Sequence, residues 1–267
     1  MINIIKSKDN DKIKYTKSLL KTKGRNKEKK FIIEGYRILT LALECDAKLE
    51  YVFINEDFEK KQDHKVLLEE LENKNIKIYK TSNKIFSEMV DTENTQGILA
   101  VLRYKERDLV NNINQDDKFV LILDRIQDPG NMGTIIRTAD AVGAHGVIIP
   151  KRRSVHITSV VAKASAGAVE YVPVCKVTNI ANTIKQLKKE GLWIAAADMD
   201  GGVFYEQDLT GPLALVIGSE GFGVSRLVKQ NCDFVVKMPM IGNVSSLNAS
   251  VAGGIMMYEV LKGRITK

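Results

Sequence analysis

The sequence predicts an α/β protein of two domains, and three observations support this. Short apolar segments of strand length alternate with longer segments of helical periodicity, twice along the 267 residues. A polar stretch at 104–117 separates the two series. The segment KFVLILDRI (118–126) is almost entirely apolar, as a strand buried on both faces of a parallel sheet should be.

The first series predicts a smaller domain over residues 1–105, followed by a linker at 106–117. A strand or turn and then a basic helix are expected within residues 3–20. Further strands are predicted at 31–35, 51–55, 76–80 and 96–103. Helices are predicted between them at 36–44, 64–74 and 83–92.

The second series predicts a larger domain over residues 118–267. Its strands are expected at 118–126, 146–150, 171–175, 192–198, 213–218 and 234–239. Its helices are expected at 134–144, 157–168, 179–190 and 247–263. Strands that alternate with helices in this way form a parallel sheet.

The positive charge is concentrated at the N-terminus. The formal net charge is +7, and residues 1–30 contain ten lysines and Arg25 against three acidic residues. A basic N-terminal arm on a nearly neutral body indicates an anionic polymer as partner. A lysine tail that only keeps the protein soluble is the alternative.

Several classes of protein are excluded. No uninterrupted apolar run is long enough for a transmembrane helix, so no membrane association is expected. Neither a secretory signal nor a disulfide framework is recognisable, since Cys45, Cys175 and Cys232 are far apart; a reducing cytoplasm is expected. The histidines do not cluster with the cysteines at ligand spacing, so no metal is expected.

Three loops that follow buried strands of the second domain hold candidate functional residues, because ligands of open α/β sheets bind at the carboxyl ends of the strands. In the first loop, residues 128–130 predict a turn and Asn131 is placed to cap the next helix. Arg137 lies about two turns into that helix. A plain helix cap and a surface charge are the alternatives for these two residues.

The second loop, IGSEGFGVS (217–225), is rich in glycine and contains Glu220. It is not a dinucleotide fingerprint, because Arg226 stands where the third glycine belongs. Glycines let a ligand approach the backbone, and a carboxylate among them favours a ligand with positive charge, such as a sulfonium or an ammonium. A structural turn is the alternative.

The third loop and the start of the last helix span 237–254. Ser245 and Ser246 are placed to cap this helix. Small residues at 249, 250, 253 and 254 lie on one helical face and allow another backbone to come close, either in the core or at a dimer interface.

These segments together resemble the three motifs of the SpoU (TrmH) family, a branch of the SPOUT RNA methyltransferases. The resemblance is carried by Asn131, Gly133 and Arg137, then by Gly218, Glu220 and Gly221, and finally by Pro239, Met240, Ser245, Ser246, Leu247, Asn248 and Ser250. The N-terminal domain resembles the ribosomal-protein-like substrate-binding domain of many members, in FIIEGYRILTLALE and TENTQGILAVL.

The resemblance implies a trefoil-knotted α/β catalytic domain at 118–267, an RNA substrate-binding domain at 1–105 and a homodimer. The implied reaction moves a methyl group from S-adenosylmethionine (SAM) to a ribose 2′-hydroxyl. Ribosomal RNA (rRNA) is the favoured substrate, because the smaller domain resembles a ribosomal-protein fold, and transfer RNA (tRNA) is the alternative.

The resemblance also implies roles for individual residues. Arg137 would be catalytic and bind the phosphate beside the target ribose, while Asn131, Glu220 and Asn248 would orient Arg137 and the ribose. The SAM site is implied at Gly218, Met238, Leu247, Ala196 and Ser246. Direct proton abstraction by Arg137 is disfavoured because a guanidinium stays protonated.

Two other function classes remain open at the level of sequence. An RNA-binding protein without enzymatic activity would explain the basic arm, but not the three motifs. Another nucleotide-dependent enzyme on a similar sheet would explain the alternation of elements, but its phosphate-binding glycine pattern is absent.

Overall fold

A computed structural model describes residues 2–44, 47–90, 92, 95–103 and 118–266. The chain divides into two compact units. The first is Met1–Lys105 together with Ile157–Glu170, and the second is Glu106–His156 together with Tyr171–Lys267. The linker expected at 106–117 lies outside the described residues.

The first unit contains one five-stranded sheet. Its strands are β1 (Ile2–Ile4), β2 (Lys30–Glu34), β3 (Leu49–Asn55), β4 (Lys77–Thr81) and β5 (Ile98–Arg103), in the order β1-β4-β3-β5-β2. Strands β1, β4 and β3 are parallel, whereas β5 is antiparallel to both β3 and β2. The helices before the second unit are α1 (Asp11–Ser18), α2 (Thr22–Glu28), α3 (Tyr36–Glu44), α4 (Gln62–Asn73) and α5 (Asn83–Ser87).

The lysine-rich N-terminal segment is folded into this unit. Strand β1 pairs with β4, with Ile2 opposite Ile78. Ile13 of α1 is fully buried, and the hydroxyl of Thr16 lies 3.0 Å from that of Tyr51. The strand and basic helix expected within residues 3–20 are present, and the segment is folded into the first unit through Ile13, Thr16 and Leu19.

The second unit contains a six-stranded sheet. Its strands are β6 (Phe119–Asp124), β7 (Gly146–Pro150), β8 (Val174–Val177), β9 (Trp193–Val203), β10 (Leu213–Gly218) and β11 (Phe234–Lys237), in the order β11-β9-β10-β6-β7-β8. All of these pairs are parallel, and β6 is buried along its whole length. The predicted α/β class and parallel sheet are confirmed.

The other α-helices among the described residues are α6 (Pro129–Ala141), α7 (Ser159–Ala164), α8 (Ile180–Lys189), α9 (Arg226–Asn231) and α10 (Ala249–Ile265). Helix α7 was expected in the larger domain but groups by contact with the first unit. None of the helices among the described residues is both long and apolar enough to cross a bilayer.

Two helix caps differ from the sequence-based expectation. Helix α6 begins at Pro129, and the Asp128 carboxylate accepts a hydrogen bond from the backbone N–H of Asn131 at 2.7 Å. Asp128 is therefore the cap, because proline is favourable as the first helical residue. Helix α10 is capped by Asn248 and not by Ser245 or Ser246.

The small residues of α10 are used inside the second unit. A Cβ added at Gly253 would lie 2.6 Å from Cδ1 of Ile217 of β10. The opposite face of α10 carries apolar side chains in solvent: Val251, Ile255 and Tyr258 are 49%, 43% and 53% exposed. The close packing expected from the small residues is thus with the sheet of the same chain.

Candidate functional site

The second sheet changes direction between β6 and β10. The chain runs outward through β7 and β8, returns, and continues on the other side through β9, β10 and β11. Strands β6 and β10 are neighbours, with Asp124 opposite Gly218 at their carboxyl ends. Ligands of open α/β sheets bind at such a switch point, and the first two candidate loops begin there.

Three side chains from the three candidate loops form a closed hydrogen-bonded triangle. Nδ2 of Asn131 donates to Oε1 of Glu220 at 2.7 Å, and Nδ2 of Asn248 donates to Oδ1 of Asn131 at 2.9 Å. Nδ2 of Asn248 also donates to Oε1 of Glu220. The structure therefore brings together three of the four residues expected to be catalytic.

Asn248 is oriented by the helix that it caps. Its Oδ1 accepts hydrogen bonds from the backbone N–H of Ser250 at 2.9 Å and from the Ser250 hydroxyl at 2.6 Å. With the oxygen held by the helix terminus, the amide nitrogen faces Asn131 and Glu220. The Asn248 side chain thus caps the start of α10 and also makes hydrogen bonds to both Asn131 and Glu220.

The glycine loop requires glycine at the end of β10. A Cβ added at Gly218 would lie 2.0 Å from the carbonyl carbon of Gly223, so no side chain fits there. The loop closes with a hydrogen bond from the N–H of Gly223 to the carbonyl of Ser219 at 2.8 Å, and Gly223 has a φ of +59°. These contacts hold in place the loop backbone that carries the Glu220 side chain.

The carboxylate of Asp124 was not singled out in the sequence. It is almost fully buried, accepts a hydrogen bond from the N–H of Ser225 at 2.7 Å and lies 3.6 Å from Nε of Arg125. It therefore connects the end of β6 to the glycine loop. The only indication in the sequence is one carboxylate at the end of an apolar strand.

A second group that the sequence reasoning missed lies on the other side of the glycine loop. Nζ of Lys229 lies 3.1 Å from carboxylate oxygens of both Asp198 and Asp200. The hydrogen bonds to Asp200 and Asp198 raise the pKa of Lys229, and the bond to Asp200 has the larger effect. A Cβ on Gly223 would lie 3.3 Å from Oδ2 of Asp198, so this ion-paired group borders the loop.

Arg137 lies outside the triangle. It is exposed on α6, and six residues separate it from Asn131, which corresponds to about 120° around the helix and about 9 Å along it. Within the part of the chain that the structure describes, its guanidinium makes no ion pair or side-chain hydrogen bond. Its charge is therefore available to an external anion.

The residues expected to bind the cofactor occupy two kinds of position. Gly218 ends β10 beside the triangle, whereas Met238, Ser246 and Leu247 lie in the segment between β11 and α10. Met238 is half-buried and the other two are exposed. Ala196 is fully buried inside β9, opposite Val216 of β10, and its methyl group belongs to the core.

No group of three or more histidine, cysteine or carboxylate side chains among the described residues is arranged to hold a metal ion. The triangle itself has one carboxylate and two amides. Its chemistry is that of oriented hydrogen-bond donors and acceptors.

Two parts of the sequence each match a known protein family. Residues 118–258 match the SpoU rRNA Methylase family, which is more than half of the chain. Residues 10–100 match the MRM3-like substrate binding domain. The two matches fall on the two series of strands and helices found in the sequence.

Individual relatives agree with these matches. The chain is 46% identical over 237 residues to YacO of Bacillus subtilis (strain 168), which is named as a TrmH family tRNA/rRNA methyltransferase. The aligned residues cover 86% of this chain and 94% of YacO. An AdoMet-bound rRNA methyltransferase from Sinorhizobium meliloti is structurally similar, with a TM-score of 0.86 at 25% identity over 98% of both chains. A solved RNA 2′-O ribose methyltransferase has a TM-score of 0.81 at 26% identity, covering 98% of this chain and 99% of that chain. The chain therefore belongs to the SpoU rRNA methylase family and is an RNA methyltransferase.

Proposed function

We propose that this protein transfers a methyl group from SAM to a ribose 2′-hydroxyl of ribosomal RNA. The observation that carries the proposal is the triangle of Asn131, Glu220 and Asn248 at the switch point of the sheet. The similarity to a solved RNA 2′-O ribose methyltransferase supports the ribose as acceptor.

The residues around the triangle fit SAM. Gly218 and Gly223 lie too close together for a side chain at Gly218, so backbone atoms line the carboxyl end of β10 at this point. Glu220 supplies a carboxylate in the loop, which suits a cationic ligand better than a phosphate. Gly218, Met238, Ser246 and Leu247 would hold the cofactor largely through backbone groups, and Ala196 would contribute from the underlying strand. When bound, SAM supplies a methyl group on a positively charged sulfonium.

The protein's own contribution is to position and to bind. Arg137 binds the phosphate beside the target ribose, because a guanidinium offers a planar pair of donors to phosphate oxygens. The triangle presents a fixed set of amide and carboxylate groups to the ribose. No histidine belongs to the triangle, and a guanidinium is a donor without an acceptor, so neither supplies a general base and the hydroxyl proton passes to water. Alignment of the hydroxyl oxygen with the methyl carbon is the main source of rate enhancement.

Ribosomal RNA is favoured over transfer RNA by the first unit. Residues 1–30 carry a strong excess of lysine and are folded into the domain that matches a substrate-binding family. Lysines on a folded surface keep a defined spacing, which suits a large structured RNA. Transfer RNA is the second candidate, because relatives are named tRNA/rRNA methyltransferases.

We also propose that the second unit carries the family's trefoil knot and that two chains form a homodimer. The exposed stripe of Val251, Ile255 and Tyr258 on α10 supports the dimer. Apolar side chains that follow one helical face in this way are typical of an interface. Mass measurement by light scattering at micromolar concentration tests it.

The experiment that tests the function uses total RNA from a strain that lacks the protein. This RNA is incubated with the enzyme and methyl-labelled SAM, separated by size, and digested to nucleosides. We expect label on a 2′-O-methylated nucleoside of ribosomal RNA. Label confined to transfer RNA would refute the substrate, and label on a base would refute the ribose chemistry.

A further inference from the structure

A second basic segment lies at the edge of the sheet that carries the triangle. Lys151, Arg152 and Arg153 follow β7 directly, and all three are exposed. Strand β7 pairs in parallel with β6, with Ile148 opposite Ile122. Because this register brings the ends of the two strands level, the cations emerge at the same carboxyl edge as the loop that leads to Asn131.

Hydrogen bonds hold this segment against that loop. The hydroxyl of Ser154 and the N–H of Val155 both donate to the carbonyl oxygen of Ile126, each at 2.8 Å. Ile126 is buried and precedes Asn131 by five residues. On the other side, the N–H of Lys151 donates to the carbonyl of Val177 at the end of β8, also at 2.8 Å. The backbone of the basic segment is therefore fixed at both ends.

The backbone at this edge adopts an unfavourable conformation at two arginines. Arg153 has a φ of +63°, and Arg125, at the end of β6, has a φ of +61°. A side chain is strained in this region, which glycine or asparagine adopts more easily. Non-glycine residues in this conformation are frequent at functional sites, and both of these arginines lie at the carboxyl edge of the sheet.

No carboxylate in the described parts of the chain neutralises these three cations. Lys229 pairs with two aspartates, and Lys188 lies 2.8 Å from Oδ1 of Asp233. No comparable ion pair forms at Lys151, Arg152 or Arg153 within the described parts of the chain. Three adjacent cations on a fixed backbone, without an ion pair to any described residue, form a site for a chain of phosphates, because each contact releases a counterion from the nucleic acid.

We propose that Arg152 and Arg153, with Lys151 beside them, bind backbone phosphates of the substrate RNA next to the target nucleotide. They place the strand across the carboxyl edge while Arg137 and the triangle act on the ribose. This inference rests on the proposed function only in that the substrate is RNA. It assigns the segment to substrate binding and not to the reaction itself.

The test compares two variants of equal charge change in the full-length protein. Arg152→Gln/Arg153→Gln removes two cations of the segment. Lys185→Gln/Lys189→Gln removes two exposed cations of α8, a helix that leads away from the carboxyl edge. Dissociation constants for unmethylated ribosomal RNA and for transfer RNA are measured as a function of salt, together with SAM affinity and the KM and kcat of methyl transfer.

We expect the arginine variant to raise the KM for RNA about tenfold, since charge-assisted hydrogen bonds are lost. The slope of log K against log salt should become shallower by about 0.7 to 0.9 per lost phosphate contact. The SAM affinity and kcat of the arginine variant should stay near those of the unsubstituted protein. The lysine variant should resemble the unsubstituted protein in all of the measured quantities. Replacing Ser154 by alanine, which leaves every cation in place, should raise the KM more weakly.

Three outcomes would overturn the proposal. They are an unchanged KM and salt slope in the arginine variant, an equal change in the lysine variant, or loss of SAM binding in the arginine variant. Methyl label on a base would contradict the proposed ribose chemistry but leave this assignment intact. Absence of RNA binding by the unsubstituted protein would refute both.

Discussion

Asn131 and Glu220 are joined by a 2.7 Å hydrogen bond although 89 residues separate them in the sequence. Asn248 contacts both, and its own oxygen caps α10. The same side chain therefore supports the stability of a helix and the geometry of the site. These two roles can be separated by substitution.

Replacing Asn248 by serine should separate them. Serine is a good helix cap but has no amide to donate to Glu220, so stability should change by only a few tenths of a kcal/mol while methyl transfer falls strongly. Alanine removes both functions and should cost about 1 kcal/mol in addition. Thermal unfolding and single-turnover methylation measure the two effects. Equal activity of the serine variant and the unsubstituted protein would remove Asn248 from the catalytic group.

Arg137→Ala should abolish most methyl transfer without unfolding the protein. The side chain is exposed and makes no ion pair within the described residues, so the fold loses little. The loss of a donor that acts in the transition state lowers kcat by roughly 10²–10³. Lysine should restore little activity, since it lacks the planar pair of donors. Near-normal turnover by a folded Arg137→Ala protein would contradict the assigned role.

Gly218→Ala should destabilise the second unit. Its Cβ would meet the backbone of Gly223 at 2.0 Å, and Gly218 is itself held by the pairing of β10 with β6. Gly221→Ala is the matched control, because nothing lies within 4 Å of its added Cβ. The melting temperature should fall for the first variant and change little for the second. Similar melting temperatures for both would show that the loop is more adaptable than its contacts indicate.

Deleting the N-terminal 30 residues is not a clean test of RNA binding, because β1 and Ile13 are part of the first unit's core. Ile13→Ala alone should lower the free energy of unfolding by about 2–5 kcal/mol. Lys21→Gln/Lys23→Gln, at exposed positions, should leave stability unchanged but weaken RNA binding and its salt dependence. Chemical denaturation and RNA titration distinguish the variants. Unchanged RNA affinity in the lysine variant would exclude these two lysines from the RNA-binding surface.

Cys232 should react slowly with alkylating agents while the protein is folded. Burial raises the pKa of its thiol to about 12, and its Sγ lies 3.3 Å from the carbonyl of Val228. At pH 8 the thiolate is rare, so alkylation should be at least about a hundredfold slower than in the unfolded chain. Since the folded pKa is raised, the contribution of this thiol to stability is present below pH ~8.5 and is lost as the pH rises toward 12. Mass spectrometry of the labelled peptide measures the rate, and fast labelling of the folded protein would contradict the raised pKa.

The local parts of the fold could be read from the sequence. Continuous apolar runs bounded by glycine and proline gave the bounds of β7 and β10 correctly. The start of α6 was missed because Asp128 and Asn131 are both good caps, and only the placement of Pro129 as the first helical residue decides between them. The buried face of α1 was hidden because lysines alternate with Ile13, Thr16 and Leu19.

The site is non-local, and this limits what spacing alone can predict. Asn131, Glu220 and Asn248 meet because β6 and β10 are neighbours at a reversal of strand order. Nothing in their spacing along the chain encodes that adjacency, and the resemblance to a known family identified them together. The basic segment after β7 was overlooked because its importance depends on the register between β6 and β7.

The assignment of Ile157–Glu170 to the first unit has a consequence for biosynthesis. The five strands of that unit can pair once residue 103 has left the ribosome, but the packing of α7 has to wait for a further sixty or so residues. During that interval the apolar surface that receives Val161 and Ala162, both fully buried in the finished protein, stays open to solvent. A first unit that forms before α7 is available leaves this surface uncovered, and such surface favours aggregation or chaperone capture of the nascent chain.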